Sequence, residues 1–342
     1  MIRTLMLSLL LAAVAALPAA AGPVTFDFAQ IGNAGNAADP QTGFGAVSYN
    51  YAISKTEVTN AQYTAFLNAV DPTGANADLG GLDGFLYNPN VAGNLGGIEL
   101  QAGNADGSKF VVQAGREQNP VTYVSFFDAM RFTNWLHNGQ GSGDTDTGAY
   151  TIGNGVNEVR SADARFWIPS DDEWYKASYH DATAGTAGVY FDYATGSDSV
   201  PVSDQPGDDP SAVNYFNDDK LANGFNDGFA VSGSTSFTNP FTGVGAYTAA
   251  ASPYGTFDQN GNVIEWNEAV VRSFFRGQRG GSWNNISAGL RVNIRSSGTP
   301  ASESGHVGFR VATVPEPSTV LMGAMAAVGL ISRRALAPVP LA

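Results

Sequence analysis

The sequence predicts a single α+β domain with little regular secondary structure. Three segments have the apolar spacing of amphipathic helices, and the remaining structured segments are short, strand-like runs. Turns rich in Gly, Asn, Asp and Ser separate these runs, and Gly alone accounts for 41 of the 342 residues. Because the composition is even, with no Pro-rich linker and no repeat of fixed period, residues 24–313 are predicted to form one domain.

The first predicted helix follows Thr59, a residue that can cap a helix N-terminus. Its apolar residues are spaced i, i+3, i+4 and i+7, at Tyr63, Phe66, Leu67 and Val70. This spacing places them on one face of a helix. We therefore expect that face to be buried.

The other two predicted helices also carry capping residues. Ser125 begins the second, and Asn138-Gly139 ends it, since Gly takes the left-handed conformation that follows a helix. Ser170 and Glu173 form a capping box at the start of the third. All three helices are thus delimited by local sequence.

Short strands are predicted at AVSYNYAI, KFVVQ, GAYTIG, VYFDYA and LRVNIRS, which are residues 46–53, 109–113, 148–153, 189–194 and 290–296. Segments 71–118 and 181–250 are rich in Gly, Asp and Asn and weakly periodic. We interpret them as loops or binding surface.

Residues 1–21 have the three parts of a secretory signal peptide. Arg3 precedes an apolar run from Leu5 to Leu17, and the small residues Ala19–Ala21 follow. The run is too short to span a membrane. We predict cleavage after Ala21 and export of the chain.

Residues 314–336 have the order of a sorting and anchoring tail. Pro315-Glu316-Pro317 precedes an apolar stretch, Thr319–Ile331, and then Arg333-Arg334. A helix of this stretch would reach only ~20 Å, short of the ~30 Å hydrocarbon core. The arrangement resembles the PEP-CTERM tail of Gram-negative bacteria, which implies an exosortase as partner and an exopolysaccharide-producing cell. The expected location is the cell envelope, cell surface or extracellular matrix, with membrane contact only through this tail.

Charge and cysteine content exclude several classes of function. The chain has 17 basic and 31 acidic residues, and its net charge of −14 repels the phosphates of nucleic acids. Divalent cations and neutral or cationic ligands suit such a surface better. The absence of cysteine excludes zinc–thiolate sites, thiol nucleophiles and redox-active cysteine pairs.

Six motifs occur in an order that resembles the formylglycine-generating, sulfatase-modifying factor family. They are ISKTEVTNAQYTAFLNAV, NPVTYVSFFDAMRFTNWL, RFWIPSDDEWYKAS, GTFDQNGNVIEW, RGGSW and VGFRV, within Tyr51 to Ala312. The resemblance implies a compact α+β domain with little regular secondary structure, a duplicated relative of C-type lectins. It also implies an enzyme that oxidises a substrate cysteine to formylglycine with O₂, a copper ion held by two cysteines, and structural calcium.

This chain departs from the family at the copper site. The family's cysteines correspond to positions within Asn284–Leu290, which here reads NNISAGL. Copper(I) requires soft sulfur ligands, and none of these residues supplies one. We therefore expect no copper, no catalytic residue and no cofactor other than structural calcium. In this interpretation Gly280, Gly281 and Trp283 are architectural.

The arginines near the C-terminal end of the domain have a structural interpretation too. Arg291, Arg295 and Arg310 can form forked hydrogen bonds with buried carboxylates or carbonyls. We expect them to support the fold.

The resemblance implies two calcium sites. By position, the first would use Asp258, the carbonyls of Gly261 and Val263, and Glu265. A loop that offers several oxygens, two of them carboxylates, suits a hard cation. The alternative is a hairpin turn at Asn260-Gly261 with Glu265 capping or paired with an arginine.

The second calcium set would comprise Asn214, the carbonyl of Tyr215, Asp227 and the carbonyl of Phe229. A solvated acidic loop is the alternative. The three histidines, His137, His180 and His306, lie far apart in the sequence, which does not favour a three-histidine metal centre.

Two functions remain open from the sequence. The first is a non-catalytic protein of the cell surface or extracellular matrix, in which a calcium-stabilised scaffold binds an exopolysaccharide or a surface protein. The alternative is a metal-dependent oxidoreductase of the same family with a non-cysteine active site. That chemistry would require a histidine-rich facial site, for which three scattered histidines are a poor basis.

Overall fold

The computed structural model describes residues 22–79 and 84–315. The predicted signal peptide and the predicted tail from Glu316 onward lie outside these residues. Within the described ranges, no helix has both the length and the apolarity required to cross a bilayer.

The three predicted helices are confirmed. Each begins with a capping box. The hydroxyl of the N-cap Thr or Ser accepts from the backbone amide three residues later, and the side chain of that later residue accepts from the backbone amide of the N-cap. The helices are α1 Asn60–Val70, α2 Phe126–His137 and α3 Asp171–Tyr179. Asn138 caps the C-terminus of α2, and Gly139 follows with φ of +91°.

The strands are short, which confirms the predicted α+β class with little regular secondary structure. They are β1 Phe28–Ile31, β2 Tyr51–Ser54, β3 Ile98–Leu100, β4 Phe110–Val112, β5 Phe166–Trp167, β6 Val202–Ser203, β7 Ala212–Val213, β8 Phe216–Asp218, β9 Asp227–Phe229, β10 Ile264–Val271, β11 Phe275–Arg279, β12 Ser296–Gly298, β13 Val307–Gly308 and β14 Ala312–Thr313.

Two four-stranded sheets carry the domain. One has the order β1-β2-β14-β5 and the other β12-β11-β10-β13. The two-stranded pairs β3-β4, β6-β7 and β8-β9 lie in the connecting segments. Since β13 pairs with β10 and β14 pairs with β2, the motif VGFRV at residues 307–311 runs from one sheet to the other.

An aromatic cluster joins this motif to the helices. The Phe132 ring of α2 contacts Tyr63 and Phe66 of α1, with ring centroids 5.9 and 5.5 Å away. Phe309 contacts Phe132 from the other side at 5.4 Å. All four side chains are buried. On the predicted apolar face of α1, Tyr63, Phe66 and Leu67 are buried and Val70 is half-buried. Burial of large aromatic rings is the main stabilising contribution expected here.

Three predicted strands are wrong, and one of them, residues 189–194, has only isolated bridges at Tyr190 and Tyr193. Residues 148–153 form no strand, because the backbone amide of Tyr150 donates to the side chain of Asn134 on α2, at 2.7 Å. Residues 290–295 also lie outside any strand, and only Ser296 enters β12. There the carbonyls of Val292 and Ile294 accept hydrogen bonds from Arg279. At residues 148–153 and 290–295, side chains from other elements take the place of the partner strand that the periodicity predicted.

Candidate functional site

A buried arginine–glutamate pair joins two of the sequence motifs, GTFDQNGNVIEW and VGFRV. Arg310 donates to both carboxylate oxygens of Glu265, from Nε at 2.6 Å and from Nη2 at 2.8 Å. Neither side chain is exposed. Trp174 of α3 donates to the same carboxylate at 2.8 Å. Both oxygens of the Glu265 carboxylate therefore accept hydrogen bonds within the protein.

The remaining donors of Arg310 fix three backbone segments. Its guanidinium donates to the carbonyls of Ser54, Lys55 and Phe257 at 3.0, 3.1 and 2.8 Å. Burial lowers the pKa of Arg310, but Glu265 and two further carboxyl groups raise it above its ordinary value overall. Arg310 is thus charged and couples β2, the loop before β10, and β10 itself.

The two further carboxyl groups are Glu57 and Asp258, both buried. Burial, followed by repulsion from Asp258 and Glu265, raises the pKa of Glu57 well above its ordinary value. Burial also raises the pKa of Asp258, to about 6. Three carboxyl groups therefore surround one guanidinium, and protonation of Glu57 reduces the excess negative charge.

The first candidate calcium set overlaps this cluster. Asp258 and Glu265 lie close together, but Arg310 and Trp174 occupy the oxygens of Glu265. Asp258 accepts from the backbone amide of Gly245 at 2.5 Å. The arrangement at Glu265 matches the arginine-paired alternative, and a cation would have to compete with a guanidinium. These residues as arranged fit calcium poorly.

The same loop does not form a β-hairpin at Asn260-Gly261. Gly261 donates to the carbonyl of Gly280 at 3.0 Å, and Asn262 donates to the carbonyl of Asn214 at 2.9 Å. The loop thereby joins β11 to the segment that contains the second candidate calcium set. Val263, whose carbonyl belongs to the first set, is buried beside Trp283.

The second candidate calcium set contains unpaired buried oxygens. Within the described part of the chain, Asn214 Oδ1 and Asp227 Oδ1 are buried and accept no hydrogen bond. Such oxygens gain free energy from a bound cation. However, Asp227 pairs with Asp218 at one end of the β8-β9 hairpin, whereas Asn214 precedes Phe216 at the other. This set nevertheless offers better ligands than the first, because two of its side-chain oxygens are buried and unpaired.

The two carbonyls of the second set already have partners. The carbonyl of Tyr215 accepts from the Ser203 hydroxyl at 2.6 Å. The carbonyl of Phe229 accepts from the amides of Ser232 and Gly233 at 3.0 and 2.8 Å. A carbonyl has two lone pairs, so each could also bind a cation.

Hydrogen bonds within the chain stabilise the segment that corresponds to the family's copper site. Asn285 Oδ1 accepts from the backbone amide and the hydroxyl of Ser282, both at 2.9 Å. Leu290, at the other end, is fully buried in a cluster with Tyr193, Val213 and Tyr215. An amide and an aliphatic side chain thus occupy the ends of this segment.

A cavity of about 130 Å³ lies beside Asn285. Arg279, Gly280, Gly281, Gly289 and Ile294 are among its lining residues. Arg279, its one charged lining residue in the described chain, binds Asp171 and the carbonyl of Ile294. The cavity therefore offers room for a small neutral group but no general acid or base.

Backbone conformation explains the two glycines at the cavity. Gly280 and Gly281 have φ of +99° and +72°. A Cβ at Gly281 would lie 2.5 Å from the Leu290 side chain. Together with the burial of Trp283, this matches the architectural roles predicted for these residues.

The three histidines serve in separate local contacts. His180 binds the Tyr254 hydroxyl and the Ala187 carbonyl through its two ring nitrogens, both at 2.9 Å. His137 accepts from the amide of Arg165 at 3.1 Å, and His306 contacts the Ser304 hydroxyl at 2.7 Å. Across residues 22–79 and 84–315, no group of three or more His, Asp or Glu side chains is arranged to hold a metal ion.

The sequence did not reveal which arginine pairs with which carboxylate. Asp171, in the first turn of α3, binds both Arg279 and Arg295. Arg276, buried and not singled out from sequence, binds Glu158 at 3.2 Å. Arg291 instead forms an exposed pair with Asp192 at 2.6 Å. The only sequence signal for these ion pairs was the occurrence of several arginines in a Gly-rich segment.

A family model described as "Sulfatase-modifying factor enzyme 1-like domain" matches residues 19–314. Among solved structures, CarF is 19% identical with a TM-score of 0.48 and covers 85% of this chain and 99% of that one. Treponema denticola variable protein 1 is 16% identical with a TM-score of 0.43, covering 84% and 95%. PvdO from Pseudomonas aeruginosa is 18% identical with a TM-score of 0.41, covering 80% and 83%. No curated protein matches the chain. Similarity at this level concerns the fold and not the activity.

Proposed function

The chain belongs to the family of sulfatase-modifying factor enzyme 1-like domains, and from this premise we propose that it is an exported, non-catalytic binding protein. It uses the family scaffold to bind a ligand at the cell surface or in the extracellular matrix. The observation that carries this proposal is the segment Asn284–Leu290, where the family's oxidase chemistry requires thiols.

Three features of this segment and the cavity beside it argue against oxidase chemistry. It contains no sulfur, and the chain contains no cysteine. Asn285 is hydrogen-bonded to Ser282, and Leu290 is packed among apolar side chains, so neither is arranged as a metal ligand. Among the described residues, the only titratable group that lines the adjacent cavity is Arg279, which is paired with Asp171. This segment can contribute to ligand binding, and none of its residues supplies the thiolate through which the family holds copper.

The proposed location rests on the two ends of the sequence. The signal-like residues 1–21 direct export, and the PEP-CTERM-like residues 314–336 direct processing by an exosortase in a Gram-negative bacterium. The ligand would then be an exopolysaccharide or another surface protein. The net charge of −14 suits a neutral or cationic partner.

The absence of oxidase activity can be tested directly. Purified protein, supplied with copper, O₂ and cysteine-containing peptides, is expected to consume no more O₂ than a blank with the same copper concentration. Mass spectrometry of the peptides is expected to show unmodified cysteine. Formation of a peptide aldehyde, or stoichiometric copper or iron in the purified protein, would overturn the proposed function and favour the oxidoreductase alternative.

Structural calcium remains part of the proposal and has its own test. If calcium binds the folded chain, chelation lowers the melting temperature by about 5–10 °C, the range expected for a ligand well above its dissociation constant. Differential scanning calorimetry with and without chelator measures this difference.

Two variants identify which of the two candidate calcium sets causes the response to chelator. Because Asn214 Oδ1 is unpaired whereas Arg310 neutralises Glu265, we expect Asn214→Ala to abolish the response to chelator and Asp258→Asn to retain it. The readout is the difference between the two melting curves of each variant, so a loss of basal stability does not obscure it. Identical curves for the native chain with and without chelator contradict calcium binding.

A further inference from the structure

A second concave surface lies beside the Asn284–Leu290 segment, and it is larger than the cavity at Asn285. It has a volume of about 600 Å³ and is lined by residues 200–204, 223–226, Tyr215, Asn217 and Ser287. We call it the amide groove, after its three asparagines. Its volume lies within the ~300–1,000 Å³ typical of ligand sites.

The walls of the amide groove are preorganised. On one side, Tyr215 donates to the carbonyl of Pro201 at 2.8 Å, and Ser203 donates to the carbonyl of Tyr215 at 2.6 Å. On the other side, Asp227 accepts from the amides of Asn223 and Gly224, both at 2.9 Å. A site held in its binding conformation loses less entropy when the ligand binds.

Several polar groups of the groove are free to bind a ligand. Among the described residues, no hydrogen bond engages the side chains of Asn217, Asn223 or Ser287. A carboxamide offers a donor and an acceptor side by side, and a hydroxyl offers both from one atom. Neighbouring hydroxyls of a sugar ring match this pattern.

Apolar side chains complete the surface. Val200, Val202 and Phe225 are 56, 41 and 36% exposed. An exposed aromatic ring beside amides can pack against the apolar C–H face of a sugar, while the amides bind its hydroxyls. Exposed apolar residues grouped at a groove indicate an interaction site.

The charge of the groove limits the ligand further. Asp204 is its one charged lining residue, and neither Lys nor Arg lines it within the described chain. Phosphate, sulfate or uronic acid groups would therefore meet a carboxylate with no compensating cation, in a chain of net charge −14. The groove favours a neutral ligand.

From these observations we infer that the amide groove binds a neutral oligosaccharide. This inference deepens the proposed binding function and rests on it. A peptide is less well matched, because the free groups named above are side-chain amides and a hydroxyl, whereas extended peptides are held mainly by the backbone of a strand edge.

The test is a binding measurement on the purified full-length chain. Its probes are a panel of neutral oligosaccharides, the same oligosaccharides carrying sulfate or uronic acid groups, and short peptides. We expect binding of at least one neutral oligosaccharide and weaker binding of its acidic counterparts. The double variant Asn217→Ala/Asn223→Ala is expected to weaken binding by about tenfold or more, the loss expected from removing hydrogen bonds of neutral groups.

Asn157→Ala is the matched control, since Asn157 is exposed and does not line the groove. It is expected to bind like the native chain. The inference is overturned if no neutral oligosaccharide binds, if acidic ones bind as tightly, if only peptides bind, or if the double variant binds unchanged. The proposed function, by contrast, is overturned by oxidation of a peptide thiol. None of the results named here involves such oxidation, so failure of this inference is distinguishable from failure of the proposed function.

Discussion

Replacement of Arg310 by Met is expected to lower the free energy of unfolding by about 3–5 kcal/mol, the cost of leaving a buried carboxylate without its partner. Glu265 would lose both hydrogen bonds from the guanidinium, and the carbonyls of Ser54, Lys55 and Phe257 would lose theirs. Chemical denaturation monitored by tryptophan fluorescence measures this loss.

Two comparisons isolate the electrostatic part of this effect. Arg291→Met removes an exposed pair with Asp192 and is expected to change stability little, since solvent screens that pair. In the Arg310→Met background, Glu265→Gln is expected to recover part of the lost stability, because it removes the uncompensated charge but keeps an acceptor for Trp174. Equal losses for Arg310→Met and Arg291→Met would refute the central role of the buried pair.

Gly261→Ala is expected to be comparably destabilising, by about 3 kcal/mol or more, because backbone strain and a steric clash add together. Gly261 has φ of +90°, and a Cβ there would lie 2.2 Å from the carbonyl oxygen of Asn214. This oxygen belongs to the backbone, so a change of side-chain rotamer cannot relieve the contact. Thermal and chemical denaturation measure the loss.

Gly35→Ala separates the contribution of backbone strain from that of the steric clash. Gly35 has a similar φ of +78°, but a Cβ there would meet no atom within 4 Å. We expect it to cost about 1 kcal/mol, from backbone strain alone. If the two variants lost the same stability, close packing of the loop against Asn214 would not be the reason for the glycine.

The helices could be predicted because their signals are local. The predicted N-caps Thr59 and Ser125 and the predicted box at Ser170 each act within four residues of sequence, and the structure shows all three. Strands lack such a signal, since each requires a partner from elsewhere. Residues 148–153 illustrate this, because Asn134 supplies the hydrogen bond that a neighbouring strand would otherwise provide.

The candidate site was predictable as a set of motifs but not as a set of contacts. The order of the motifs identified Glu265 and Arg310 as residues of interest, and pairing with an arginine was the alternative for Glu265. Nothing in the sequence indicated that Glu57 would lie beside Asp258, 201 positions further along the printed chain. Nor could periodicity reveal the amide groove, whose two walls and Ser287 come from separate irregular segments.

By itself, the sequence determined that this chain cannot hold copper through thiolates, because composition is independent of folding and the chain has no cysteine. It also determined the three helices, because caps and apolar periodicity act over a few residues. Only the tertiary structure decided which carboxylates are neutralised and where a ligand can bind. Charge pairing and concave surfaces depend on distances between residues that the chain brings together only when it folds.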